Sequence, residues 1–425
     1  MDQGNTGFIL ISAALVLLMT PGLAFFYGGM VKAKSVVSMM MLSFGSIGLV
    51  GVLWVIYGYA ISFSNAGVGD FKGIDGWFGI DLNSLFLNAQ VAQVVDGAEM
   101  PSGHPDLAFV AFQAVFAIIT VALISGAIAD RAKFGAWMVF AGVWATLVYF
   151  PVANWVFNFT LTDGVVTDGG WIVYNLGVHD FAGGTAVHIN AGAAGLALAI
   201  VLGKRFGFSK GITQPHNVPL TLLGAGLLWF GWFGFNAGSE LAADGIASIA
   251  FMNTLSAPAA AMLGWLIIEK IKHGKATSIG AASGAVAGLV AITPACDILN
   301  PGWGLLLGLL AGALCALAVD LKFALGFDDS LDVVGIHLIG GIFGTLFIGV
   351  FGRGIGVLDS GSWNQLGAQA LGAGAVLAYS FIGALVIGFI IEKTIGFRVK
   401  AEDEIAGIDT VVHGEEAYAF GGAHV

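Results

Sequence analysis

The stretch HDFAGGTAVHINAG, residues 179–192, opens an apolar run that continues to about residue 203 and carries a histidine, His188, well inside it. A second stretch, SLDVVGIHLIGG at 330–341, has the same plan. Each begins near an aspartate (Asp180, Asp332), holds a histidine deeper in (His188, His337) and has glycine alongside. Working outward, both stretches lie in chains of apolar residues long enough to cross a bilayer. A histidine at that depth is costly and usually functional. A single one serves equally well as a hydrogen-bonding core residue, but two at similar depth in related positions favour a functional pair.

Composition places the whole chain in lipid. Charged residues make up 10% and apolar residues 57% of the 425, against roughly 25% charged in an ordinary soluble protein. Mean hydropathy is +0.90. A soluble fold would leave far too much apolar surface in water. The 65 glycines are about twice the usual share. They sit inside Leu/Ile/Val/Ala/Phe runs, which excludes collagen-like and disordered readings and suggests close helix packing in lipid. Two cysteines, Cys296 and Cys315, make no disulfide framework and read as small buried residues. The opening MDQGNTG has no basic region before the first apolar run, so that run reads as a retained span.

A spanning helix needs about 20 largely apolar residues. Eleven such runs are present: 8–31, 36–63, 107–129, 134–157, 181–203, 217–238, 246–269, 277–296, 302–322, 333–352 and 366–391. Lys32, Lys34, Arg131, Lys133, Lys204, Arg205, Lys210, Lys270, Lys272, Lys275, Lys322, Lys393, Arg398 and Lys400 fall in alternate loops and the tail. Only Lys72 and Arg353 fall in the other set. The basic side is cytoplasmic, which puts the N-terminus outside and the C-terminus inside, as an odd number of spans requires.

The expected fold is an all-α membrane protein of eleven transmembrane helices. Five helices separate the two histidine-bearing openings, so the halves form an inverted five-helix repeat plus a final helix, a common transporter plan with its site at mid-membrane. Residues 1–392 form the transmembrane domain and 393–425 a cytoplasmic tail. Gly280, Gly284 and Gly288, and again Gly304, Gly308 and Gly312, are packing ridges. The outer loop at 64–106, with Asp70, Asp75, Asp81, Asp96, Glu99 and Asp106 against Lys72, reads as a solvated acidic loop with a mild attraction for cations. Asp180 and Asp332 stand where a carboxylate caps free N–H groups at a helix start, and Asp180 has a second reading, biasing a cation toward the outer mouth.

Paired histidines on different helices also hold haem in membranes, and zinc would want further ligands that do not accompany either histidine at useful spacing. No hydrolase elbow, phosphate-cradling loop or catalytic triad is visible. No enzyme, cofactor or nucleic-acid reading is favoured.

The segments AFQAVFAIIT, DFAGGTAVHINAG, GKRFGFSKGITQPHNVPL, WFGFNAGSE, FMNT, GAVAGLVAITPAC, DVVGIHLIGGIFGT and, in the tail, GIDTVVHGEEAY cover nearly the whole chain. Through them the sequence resembles the ammonium transporter family of bacterial and plant transporters, yeast permeases and Rhesus glycoproteins. The resemblance implies a homotrimer with one pore per subunit. It matches His188 and His337 to the twin pore histidines, a possible proton relay, and Phe116 and Phe235 to the stacked phenylalanines that close the outer end. Phe112 and Ser239 match two members of the outer cation site, Asp180 the aspartate beneath it, and Trp232 a pore-side tryptophan.

In YFPVANWVF the third member, usually tryptophan, is Phe157, with Trp155 two residues earlier. The flanking residues align without a gap, which favours Phe157, a weaker cation–π platform than tryptophan. The resemblance further implies a substrate of ammonium or ammonia, a tail packed on the cytoplasmic face and a P-II signalling protein docking nearby. Two other readings stand beside it. An ammonium sensor would signal through its tail, and the roughly 33 residues after the last helix leave little room for an added domain. A Rhesus-like gas channel would generally lack the site suggested by Phe112 and Ser239.

Overall fold

In the computed structural model the described residues are 1–64, 71–98, 100, 102–162, 165–208 and 214–418. Asp70, Glu99, Lys210 and the tail beyond 418 therefore lie outside the described residues. Eleven helices are long and apolar enough to cross a membrane: Gln3–Met30, Val36–Ser62, Asp106–Ile128, Phe134–Phe157, Gly184–Leu202, Val218–Gly238, Gly245–His273, Ser278–Ala295, Pro301–Leu325, Val334–Phe351 and Asn364–Thr394. They are called the first to eleventh spans below. Helices suit lipid because they satisfy every backbone polar group internally. The first span starts five residues before the apolar run, because Asp2 caps it by accepting from Asn5 N–H at 2.9 Å.

The small residues work as close-contact points. In the eighth span, a Cβ at Gly284 or Gly288 would meet the seventh span at Trp265 or Ala261. In the ninth, Gly308 and Gly312 lie against the backbone of Ala257 and Ala261 of that same helix. The two glycine ridges thus grip the seventh span from two sides. Cys296 and Cys315 are both free and buried.

The helical description is incomplete in the loops that follow the second and fourth spans. Strands β1 (Phe71–Ile74) and β2 (Phe78–Asp81) form one antiparallel hairpin, with Phe71 opposite Asp81. Strands β3 (Phe159–Thr162) and β4 (Val165–Gly169) form another. The fold is mostly helical rather than all-α, since segments this short leave no trace in a search for 20-residue apolar runs. Nor is the 64–106 loop simply solvated. Asp81 and Asp106 are both 6% exposed.

At the opposite end, the loops carrying most of the basic residues meet the tail. Asp328 takes three hydrogen bonds from Arg205: backbone N–H at 2.7 Å, Nε at 2.9 Å and Nη2 at 2.9 Å. Arg131 donates to the Asp328 carbonyl at 2.5 Å and to Ser330 Oγ at 2.5 Å. Burial pulls the Arg131 guanidinium down to about 10, with Asp328 opposing that shift, so it remains charged at neutral pH. Burial also works against a charged Asp328, but Arg205 outweighs it and holds the carboxyl below its ordinary range.

The tail is described through residue 418. Helices Ala401–Ala406 and Ile408–His413 follow the last span. Glu404 accepts from Phe206 N–H at 2.5 Å and pairs with Arg398 at 2.7 Å. Asp409 accepts from Val37 and Ser38 N–H at 3.0 and 2.8 Å. A tail carboxylate therefore caps the second span, whose own N-cap residue Ser35 makes no side-chain cap.

Candidate functional site

The fifth and tenth spans both begin with a π-helical turn, Gly184–Ile189 and Val334–Leu338, and each turn contains the histidine. Such turns are rare and concentrate at functional sites, where the extra residue re-aims a side chain. Glycines bring the two turns together. A Cβ at Gly192 would meet Leu338, beside His337, and one at Gly341 would meet His188 Cβ at 3.1 Å. The result is a contact between His188 Nδ1 and His337 Nδ1 at 3.2 Å, with the rings 5.3 Å apart and inclined by 21°. Only one of the two facing nitrogens can carry the shared hydrogen when both rings are neutral. His188 Nε2 is buried without a protein partner.

A column of aromatic rings continues from the pair. Trp232 lies parallel to His188 at 5.4 Å, and Phe235 lies 6.2 Å from it. Phe116 stacks on Phe235 at 4.1 Å and 19°. Phe112 is 4.8 Å from Phe116. All of these rings are almost fully buried. Ser239 is partly exposed one turn beyond Phe235, and its Oγ donates to Phe235 O at 2.9 Å. Its lone pairs stay able to accept from a cation.

Phe157 joins this column and Trp155 does not. Phe157 meets Phe116 edge-on at 6.2 Å. Trp155 donates to Trp77 O at 2.5 Å and packs on Trp171 and Tyr379. It packs between the loop aromatics Trp77 and Trp171 and the eleventh span.

Asp180 is a cap in full. Its carboxylate accepts from the N–H groups of Gly183, Gly184, Thr185 and Ala186 at 2.6–3.3 Å, and from the Thr185 hydroxyl. Asp332 departs from expectation. It adopts φ +63° and its carboxylate pairs with Lys322 at 2.6 Å. Asp329 caps the tenth span instead, accepting from Val334 N–H at 2.7 Å. Both carboxylates are near the helix start, and only the local backbone decides which of them points at it.

Three polar residues escaped the sequence reading. Trp232 Nε1 donates to Thr293 Oγ1 at 2.8 Å, Thr293 donates to Asn236 Oδ1 at 3.3 Å, and Asn236 donates to Thr254 Oγ1 at 2.9 Å. This buried string holds the indole against His188. Asn236 stands inside WFGFNAGSE, and that motif was its only visible signal. Among the described residues no three His, Cys, Asp or Glu side chains gather as metal ligands would.

Eleven apolar helices define a multi-pass membrane protein. The chain belongs to the ammonium transporter family, whose profile, Ammonium Transporter Family, matches residues 7–418. It is 54% identical to an ammonium transporter of Mycobacterium tuberculosis, over 99% of this chain and 91% of the relative. It is 43% identical to an ammonium transporter of Bacillus subtilis, over 98% and 99%. Among solved structures, a "Sensor Amt Protein" superposes with TM-score 0.86 at 28% identity, covering 96% of this chain and 98% of that one. Family membership supports ammonium transport as the activity, and the named relatives are transporters rather than enzymes.

Proposed function

We propose that the protein moves ammonium across the plasma or inner membrane by separating the ion into ammonia and a proton. The ion is recruited between Phe112, Phe157 and Ser239, where aromatic faces and a hydroxyl hold an N–H cation without a full counter-charge. Asp180 supports this mouth by fixing the start of the fifth span. Carrying a whole ion along the apolar column would be prohibitively costly, whereas ammonia passes the Phe116–Phe235 gate once the rings part. Trp232 and the histidine pair line its path, and His188 and His337 relay the proton. Potassium has no proton to shed and is rejected. The observation that carries the reading is the 3.2 Å Nδ1–Nδ1 contact with a free His188 Nε2 beneath the stacked rings.

The same reading has the N-terminus outside and the C-terminus inside, an inverted repeat relating the histidine-bearing spans, a homotrimer with one pore per subunit, and a P-II signalling protein at the cytoplasmic face. The likeness to a protein titled a sensor supports a second reading, in which substrate occupancy is signalled through the docked tail.

The test is the current evoked by an ammonium pulse in a supported membrane. His188→Ala is expected to assemble normally and lose the current, and His188→Asp to admit potassium. A stable His188→Ala protein with full ammonium current and no potassium leak would refute the twin-histidine mechanism. The sensor reading predicts negligible uptake by the unmodified protein.

A further inference from the structure

A cavity of about 360 Å³ opens beside the aromatic column, on the other side of Phe157. Its wall contains the carboxylates of Asp81 and Asp106, the amide of Gln90, and the rings of Tyr59, Phe109 and Phe157. No lysine, arginine or histidine lines it among the described residues. The nearest histidine in sequence, His104, is buried, with its Nδ1 on Pro105 O at 3.1 Å. Among the described residues neither carboxylate has an ion-pair partner. Asp81 accepts from Asn83 N–H at 3.0 Å and Ser84 Oγ at 2.7 Å, and Asp106 Oδ1 accepts from Tyr59 OH at 3.1 Å. Those partners are neutral, so among the described residues no ion pair compensates either carboxylate, although each residue is 6% exposed. Buried charge of that kind calls for a counter-ion.

Gln90 is an independent sign of a ligand. It is 5% exposed, and its Nε2 donates to Ser84 Oγ at 2.9 Å. Its Oε1 is buried without a partner. An orphan amide oxygen, Asp106 with one oxygen unused in these hydrogen bonds, and aromatic rings in the wall suit a monovalent cation that donates N–H bonds. Asn83, Ser84, Gln93, Asn158 and Thr160 add further oxygens to the wall, so oxygen count does not exclude a hard divalent ion, and competition with calcium decides between the two. The volume exceeds what a bare ammonium ion fills and leaves room for a methyl group or several waters, each about 30 Å³.

We propose that this cavity is a second, peripheral site for ammonium or a small alkylammonium, held by Asp106 and Gln90 and separated from the pore mouth by the Phe157 ring. It stocks cations beside the mouth, and Phe157 is the wall common to both sites. The identity of its cation rests on the ammonium reading above, while the site itself does not require transport.

Binding of radiolabelled methylammonium to the purified full chain in detergent tests it. A Phe112→Ala/Ser239→Ala protein, which removes the pore-mouth site, is expected to retain a saturable component. Adding Asp106→Asn should weaken that component about tenfold, the usual scale for losing a hydrogen bond to a charge. Gln90→Leu, which keeps both carboxylates, should weaken it about threefold and serves if Asp106→Asn does not purify. No residual component in the double variant, or one indifferent to both cavity substitutions, overturns the proposal. So does displacement by calcium chloride with no displacement by sodium chloride of equal ionic strength, since that marks a divalent site. If the double variant instead binds as wild type and the cavity substitutions still weaken it, the peripheral site stands and the pore-mouth reading fails.

Discussion

The aromatic column and the tail-side rim handle buried polarity in different ways. Along the column, polar groups are few, and one of them, His188, is incompletely bonded. His188 faces His337 through one nitrogen and leaves the other free. At the rim, charges are many and densely paired. Arg205 binds Asp328 through three donors and reaches Asp130 at 3.2 Å, and Arg398 joins Glu404 to the Leu202 carbonyl at 2.9 Å. Charge at the rim is largely paired and locks loops together, although Asp130 Oδ1 and Arg131 Nε stay unpartnered; on the proposed reading, the free ring nitrogen of the column is available to a passing solute. The difference implies that rim substitutions act first on stability and column substitutions on transport.

The largest effect is expected where a buried charge loses its partner. Asp328→Ala removes the carboxylate that takes three bonds from Arg205, leaving that guanidinium with Asp130 alone, and should cost about 3 kcal/mol, read as a large drop in thermal midpoint in detergent. The Asp328 carboxyl is held below its ordinary value of 3.8. Its contribution is therefore present above that value and lost as pH falls through the lower folded value. Wild type should lose stability there and Asp328→Ala should not. A variant as stable as wild type at neutral pH would break the contrast between rim and column.

Gly407→Asp probes the join between the two regions. Gly407 has φ +112°, and a Cβ there would run into Lys34. The strain is about 1–3 kcal/mol, enough to lift Asp409 from Val37 and Ser38. Uptake should fall severely while the protein stays in the membrane fraction. Full uptake would mean that the docked tail does not influence the pore.

Phe157→Trp is the smallest change and the most selective. A better π face should tighten ammonium recruitment by about 0.5–1 kcal/mol, measured as a lower half-saturating concentration for uptake. Trp155→Phe should matter less, since Trp155 packs among loop aromatics. The reverse pattern would remove Phe157 from the outer site.

Much of this was legible in the chain. The apolar runs and the eleven spans agree to within a few residues because bilayer thickness sets helix length. His188 and His337 stood out because charge is scarce there. The failures share one cause. Asp332 and Asp329 are indistinguishable by composition, yet one pairs with Lys322 and the other caps the tenth span. Asp81 and Asp106 look like members of a solvated loop until the β1–β2 hairpin and the third span enclose them. Short polar segments carry little periodicity, so their burial depends on what folds over them.

Span number, the scarcity of charge inside the spans, and the two histidines follow from sequence alone, because the cost of polarity in hydrocarbon constrains every position. Tertiary structure decided the 3.2 Å meeting of the histidines, the placement of Phe157 over Trp155, the docking of Asp409 on the second span, and the acidic cavity beside Phe157. Each joins residues far apart in the chain, and each depends on glycine contacts, π turns or loop closure that fix direction as well as position.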